Sequence, residues 1–241
     1  MKYSNNHLAE VYCGFQFPEE TVVWDSTFFG QYYEKIRNSG FKDREERKGV
    51  QITFNGLLAD SQKLPFATSQ IEDQVIFRNN EKGLAILIGK GRVSFHCVRG
   101  YQRWDVFLND FIIPFSEHYK SIGLGNGKRQ CSVVYLNKFT KSADETLSDY
   151  LTIISPLEQS FGIEIISSVQ RVVSNEKNLL IAKLNSQVVD KTKNINLECG
   201  AVCVNEECMN SDDWSYQASQ THEPILSFFE AIITKTLREE L

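Results

Sequence analysis

The chain has 241 residues, of which 41% are hydrophobic, 24% charged and 12% aromatic, ordinary globular usage in a chain long enough to bury a large core in one domain or two. Lys and Arg number 26 against 31 Asp and Glu, a net charge of −5, which excludes a polyanion binder acting through its whole surface and leaves room only for a local basic site. The start MKYSNNHLAEVY has no apolar core of a signal peptide, and no run approaches the roughly 18 apolar residues of a membrane span, so a soluble, cytoplasmic protein is expected.

EVYCGFQFP (10–18) alternates apolar and polar residues and stops at a proline, which predicts a strand. DSTFFGQYYEKIRNSG (25–40) predicts a helix: Asp25 or Ser26 can cap it, Phe29, Tyr33 and Ile36 line one face, and Gly40 sits where a left-handed C-terminal residue belongs. The mixed-charge run KDREERK (42–48) reads as a solvated connection, and VQITF (50–54) as a strand. QVIF, LAILIG and RVSFHCV, separated by RNNEKG and GKG, predict an antiparallel meander. From Tyr101 a long helix is expected, with Trp104, Phe107, Leu108, Phe111, Ile112, Phe115 and Tyr119 at spacings of three and four. Pro114 lies inside it and predicts a kink, with the carbonyl of Asp110 deprived of its donor.

CSVVYLNKF predicts a further strand, TKSADETLSDYL (140–151) a hinge, and EIISSVQRVV, NLLIAKL and INLECGAVCV three more strands. A final helix is expected from about Thr221, with Pro224 in its first turn and Ile225, Phe228, Phe229, Ile232, Ile233 and Leu237 as its apolar stripe. Each half thus offers strands followed by one long helix, and NEKGLAI (80–86) echoes NEKNLLI (175–181), too short a match to establish a duplication.

Six cysteines stand in a chain without a signal peptide, so disulfides are not expected. Strand parity groups Cys13 with Val11, Phe15 and Phe17, Cys97 with Val93 and Phe95, and Cys199 and Cys203 with Ile195, Leu197 and Ala201, which predicts buried free thiols. CGAVCVNEEC (199–208) has the closest approach to metal-ligand spacing, but no second pair completes a tetrahedron, so neither a metal nor a cofactor is expected. SIGLGNGKRQC (121–131) is glycine-rich and basic, yet Arg129 stands where a phosphate loop needs Ser or Thr, and a helix runs in where a strand should. It reads as a helix cap and turn.

His96 and Cys97 are adjacent in a strand and face opposite sides, so they do not form a thiol–imidazole pair. His118 and His222 fall on helix surfaces or ends and His7 in the N-terminal arm, and no Ser-His-Asp arrangement is visible in the linear order. VRGYQRWD (98–105) offers more: Arg99, Tyr101 and Arg103 stand beside a predicted helix N-terminus, where free N–H groups favour an anion. The alternative is that Trp104 is core and the arginines pair with nearby acids.

Several of these landmarks together resemble a sporadically distributed, uncharacterised bacterial family of proteins of about this length. They are Glu10, Val11, Phe17 and Pro18; Tyr101, Trp104 and Phe107; Tyr135 with Asn137; and the closing segment 229–234. The spacing of the first landmark departs from the family pattern by one position. The resemblance covers nearly the whole chain and implies no cofactor or catalytic residue; its patchy occurrence is that of accessory genes such as phage-defence components.

The expectation is therefore an α+β fold of antiparallel sheets, each packed by one long helix, in two similar halves (1–140 and 141–241) that can share one sheet. A homodimer is expected. The leading functional expectation is a non-catalytic interaction or sensor protein of a bacterial stress or phage-defence system. The alternatives are a binder of a small anionic ligand such as a nucleotide, through Arg99, Tyr101 and Arg103, and an enzyme whose site the sequence does not display.

Overall fold

The structure, a computed structural model, describes residues 7–18, 24–47, 50–54, 66–70, 74–153 and 169–240. Nine strands form one sheet in the order β2 (Asp43–Arg47), β5 (Gln74–Asn79), β6 (Leu84–Gly89), β7 (Arg92–Cys97), β1 (Leu8–Gln16), β8 (Gln130–Ser142), β11 (Thr192–Cys203), β10 (Asn178–Val189), β9 (Val169–Ser174). Every pairing in it is antiparallel. β3 (Val50–Phe54) and β4 (Phe66–Gln70) form a separate two-stranded pair. The first half of EIISSVQRVV lies outside the described residues.

The N-terminal strand holds the sheet together. β1 inserts between β7 and β8, with Cys13 opposite Phe95 on one side and Val133 on the other. β8 then carries the sheet into β11, so strands from both halves of the chain share one hydrogen-bonded layer. The β10–β11 hairpin turns through Asp190 and Lys191, both with positive φ, the geometry that suits the twist of a tight two-residue turn.

Alternation along the strands separates two faces. Val11, Cys13, Phe15, Phe95, Val133 and Ala201 point to one side, where they pack with Phe29, Tyr32, Phe111, Tyr119 and Trp214 from the helices. On the same side Leu184, Ile195, Leu197 and Cys199 form a second cluster with Phe228, Ile232 and Leu237. All six cysteines are buried free thiols, as strand parity predicted for four of them.

The helical layer departs from the expectation of one long helix per half. It is built from α1 (Thr27–Ile36), the composite α2 (Trp104–Phe107) and α3 (Ile113–Ser121), and four short helices: α4 (Glu206–Asn210), α5 (Trp214–His222), α6 (Ile225–Ile232) and α7 (Lys235–Glu240). The expected kink before Pro114 takes the form of a π turn over Leu108–Ile112, in which the Ile113 N–H reaches the Leu108 carbonyl. A wider turn accommodates a residue without an N–H while Phe107, Phe111 and Phe115 stay on the core side. Pro224 does not open the last helix from within its first turn; it separates α5 from α6 as the N-cap residue of the latter. KDREERK is not a loop either: five of its residues are β2, a charged edge strand that pairs β5. None of the described helices is long and apolar enough to cross a membrane.

The glycine loop closes α3. Gly123, Gly125 and Gly127 all have φ of 85°, a left-handed region that side chains rarely adopt. A Cβ on Gly125 would lie 2.8 Å from Trp214 Cζ2 and 3.0 Å from Tyr119 Cδ1, whereas one on Gly127 would meet nothing within 4 Å. Since the two share the same backbone strain, Gly125→Ala is expected to cost about 1–3 kcal/mol more than Gly127→Ala through overpacking. Urea unfolding of the two variants measures the difference, and equal midpoints would place Trp214 elsewhere.

Candidate functional site

On the sheet face away from the helices, the residues with chemistry come from two adjacent strands. β7 presents Ser94 and His96, two apart and therefore on one side, and β1 presents Glu10, Tyr12 and Gly14 beside them. Tyr12 stands opposite His96, and Gly14 opposite Ser94. Ser94 Oγ is 2.7 Å from His96 Nε2, and His96 Nδ1 is 2.6 Å from Glu10 Oε1. The hydrogen bond from His96 holds the Glu10 carboxyl below the usual carboxylate range. An ionised Glu10 accepts from Nδ1–H, so Nε2 keeps its lone pair and accepts the Ser94 hydroxyl proton. The Tyr12 ring lies over the imidazole with centroids 5.2 Å apart, and burial raises its phenol to about 12, so Tyr12 is neutral at pH 7.

Next to this trio runs a groove of about 370 Å³ lined by Tyr12, Gln16, Gln130, Ser132 and Val134, with Lys183 and Glu198 at its far side. Glycines keep its floor low. A Cβ on Gly200 would lie 2.7 Å from Val134 Cγ2, and one on Gly14 would sit 3.1 Å from Ser132 Oγ and 3.5 Å from Ser94 Cβ. Gly14 thus leaves open the space between Ser94 and Ser132, a groove residue.

The residues singled out in the sequence lie elsewhere, and each has a partner of its own. Arg99 donates to the Asn80 carbonyl, and Arg103 Nε is 2.9 Å from Asp105 Oδ1 in an exposed pair. Tyr101 turns inward: its hydroxyl is 2.7 Å from Tyr135 Oη, which is 2.9 Å from His222 Nε2. The Trp104 indole stacks on His222, centroids 4.1 Å apart with rings parallel to 1°. His222, the last residue of α5, therefore stands at a helix end as expected, but as the terminus of a part-buried hydrogen-bond chain rather than as a free surface histidine. Burial lowers its pKa to about 4 and raises Tyr101 to about 12. The remaining motif, the glycine loop, turns Arg129 inward, donating to the carbonyls of Gly127 and Ser211 with its guanidinium 4.8 Å from the Trp214 ring centroid. Among the described residues no three or more His, Cys, Asp or Glu side chains gather as they would around a metal ion.

No family model, no curated protein and no solved structure matches the chain.

The enclosed histidine makes a pH prediction. An unfolded histidine titrates near 6.5 and His222 near 4, so in acid the unfolded chain takes up the proton first. Stability from this group is complete above about pH 6.5 and falls as pH drops towards 4, by on the order of 3 kcal/mol. Urea unfolding across that window should show a smaller acid loss in His222→Gln than in the parent, and an NMR titration should find the His222 imidazole neutral at pH 5.5. An imidazole charged at that pH would contradict the buried chain.

Proposed function

We propose that the chain is an interaction protein of a bacterial stress or defence system that works as a homodimer joined through one edge of its sheet. The system-level part of this reading rests on the family resemblance. The dimer rests on a difference between the two sheet edges. Among the described residues β2 ends the sheet with DREER, a charge at every position, the usual protection of an edge against pairing with another chain. β9, at the other end, reads VQRVVS and carries a single charge. Val173 on β9 is 52% exposed, and Val188 and Val189, on the part of β10 that runs past the pairing with β9, are each 44% exposed. These are three of the six exposed large apolar side chains among the described residues.

A second copy fits this edge best, because a two-fold axis brings the same sparsely charged strand antiparallel to itself and buries both sets of valines. The anion-binding alternative has less support, since Arg103 would have to leave Asp105 and Arg99 the Asn80 carbonyl. The enzyme alternative is favoured by one observation, the Ser94–His96–Glu10 trio.

Native mass spectrometry of the purified chain should give twice 27.6 kDa. Val173→Lys, which places a charge on the edge, should weaken the dimer at least about tenfold without lowering the unfolding midpoint of the monomer. A parent chain that stays monomeric at high micromolar concentration would contradict the proposal.

A further inference from the structure

We propose that Ser94 is an activated nucleophile, with His96 as its general base and Glu10 as the residue that positions His96, acting on small acyl esters that carry a good leaving group. The geometry is that of a serine–histidine–carboxylate relay: hydroxyl to Nε2 at 2.7 Å and Nδ1 to carboxylate at 2.6 Å. It is assembled from two neighbouring strands of the sheet interior, so the trio sits on rigid backbone rather than on loops. Glu10 lies diagonally across from His96, within reach along the β1–β7 pair. The ring of Tyr12 restrains the imidazole from one side.

The substrate class follows from what surrounds the hydroxyl. Ser94 belongs to a strand paired on both sides, with Gly14 on β1 and Leu87 on β6. The ladder engages the neighbouring backbone N–H groups, so no main-chain oxyanion hole forms at this point. Stabilisation of a developing oxyanion falls instead to side-chain donors of the groove across Gly14, where Ser132 and Gln16 stand. The Ser132 hydroxyl holds only a 3.5 Å contact to the Gly14 carbonyl and is available to turn. Loss of one oxyanion donor costs about a hundredfold or more in other hydrolases, which restricts this site to carbonyls already activated by their leaving group.

In the proposed step Ser94 Oγ bonds to the acyl carbon while its proton passes to His96 Nε2. The carbon–oxygen bond to the leaving alcohol breaks, and His96 returns the proton to that oxygen. Water then attacks the acyl-serine by the same route in reverse, releasing the carboxylic acid and restoring the hydroxyl.

The test uses the full chain and an alkyl fluorophosphonate, with which Ser94 Oγ bonds to phosphorus, fluoride leaves and the proton goes to His96. Peptide mapping of the wild-type protein is expected to find the phosphonyl group on Ser94, a result that depends on no variant. Ser94→Ala should lose the label while keeping the parent unfolding temperature, and His96→Gln should slow labelling about a hundredfold. Glu10→Gln should slow it less, and Glu10→Asp should recover part of the rate, since a carboxylate can again accept from Nδ1–H and hold the imidazole towards Ser94. Arg78 from β5 and Lys138 from β8 act on Glu10, Glu198 from β11 acts on Tyr12, Arg92 on β7 shares this side of the sheet and Lys183 lines the groove; all remain in these variants. Release of 4-nitrophenol from its acetate ester should follow the same order. Wild-type protein carrying no label on Ser94, or a His96→Gln variant labelling at the parent rate, would overturn the proposal.

Discussion

The pairing of β1 with both β7 and β8 is the constraint on which the rest depends. Nine residues at the N-terminus join a meander to a second set of strands, and the register they impose decides which side of every other strand meets the helices. A slip of one residue would turn Cys13 and Phe15 to solvent and Glu10 and Tyr12 into the core. The cost of burying Glu10 without its histidine therefore reinforces the register that the apolar side chains favour.

From that register the two faces acquire different chemistry. The covered face is aromatic: the Phe15 and Trp214 ring centroids are 4.3 Å apart, and Phe41 stacks on Phe111 while Phe115 meets both edge-on. Large flat side chains lie between the sheet and short helices, and the breaks at the π turn and at Pro224 bend the helical layer over them. The other face carries small and polar residues, with Gly14 and Gly200 in neighbouring positions across β8. That is where a groove can form and where a hydroxyl, an imidazole and a carboxylate can meet without entering the core.

Much of the fold was legible in the sequence because strand periodicity is a local signal. Val11, Cys13 and Phe15 announce their face within a single strand, as do Val93, Phe95 and Cys97. Charge misled at 43–47, where an edge strand is polar for the same reason a loop is, and the last helix was drawn too simply because a proline suits a first turn as well as a break between helices. The site was half legible. The parity that separates His96 from Cys97 also places it with Ser94, but Glu10 is 86 residues away and joins them only through the β1–β7 register. Tyr135 and His222, 87 residues apart, meet for the same kind of reason. Arg99 and Arg103 stood out as a basic pair, and sequence alone could not show that Asn80 and Asp105 would take them.

The account treats both halves of the chain as one sheet locked by β1 and β8, and amide hydrogen exchange tests this most directly. If the sheet is one cooperative unit, the core amides of β1, β8 and β11 open only with global unfolding and share one opening free energy, equal to that from urea titration. If the amides of β10 and β11 exchange through a cheaper opening while those of β5, β6 and β7 stay protected, the halves fold as separate units. The register that brings Glu10 to His96 would then be set by the N-terminal strands alone.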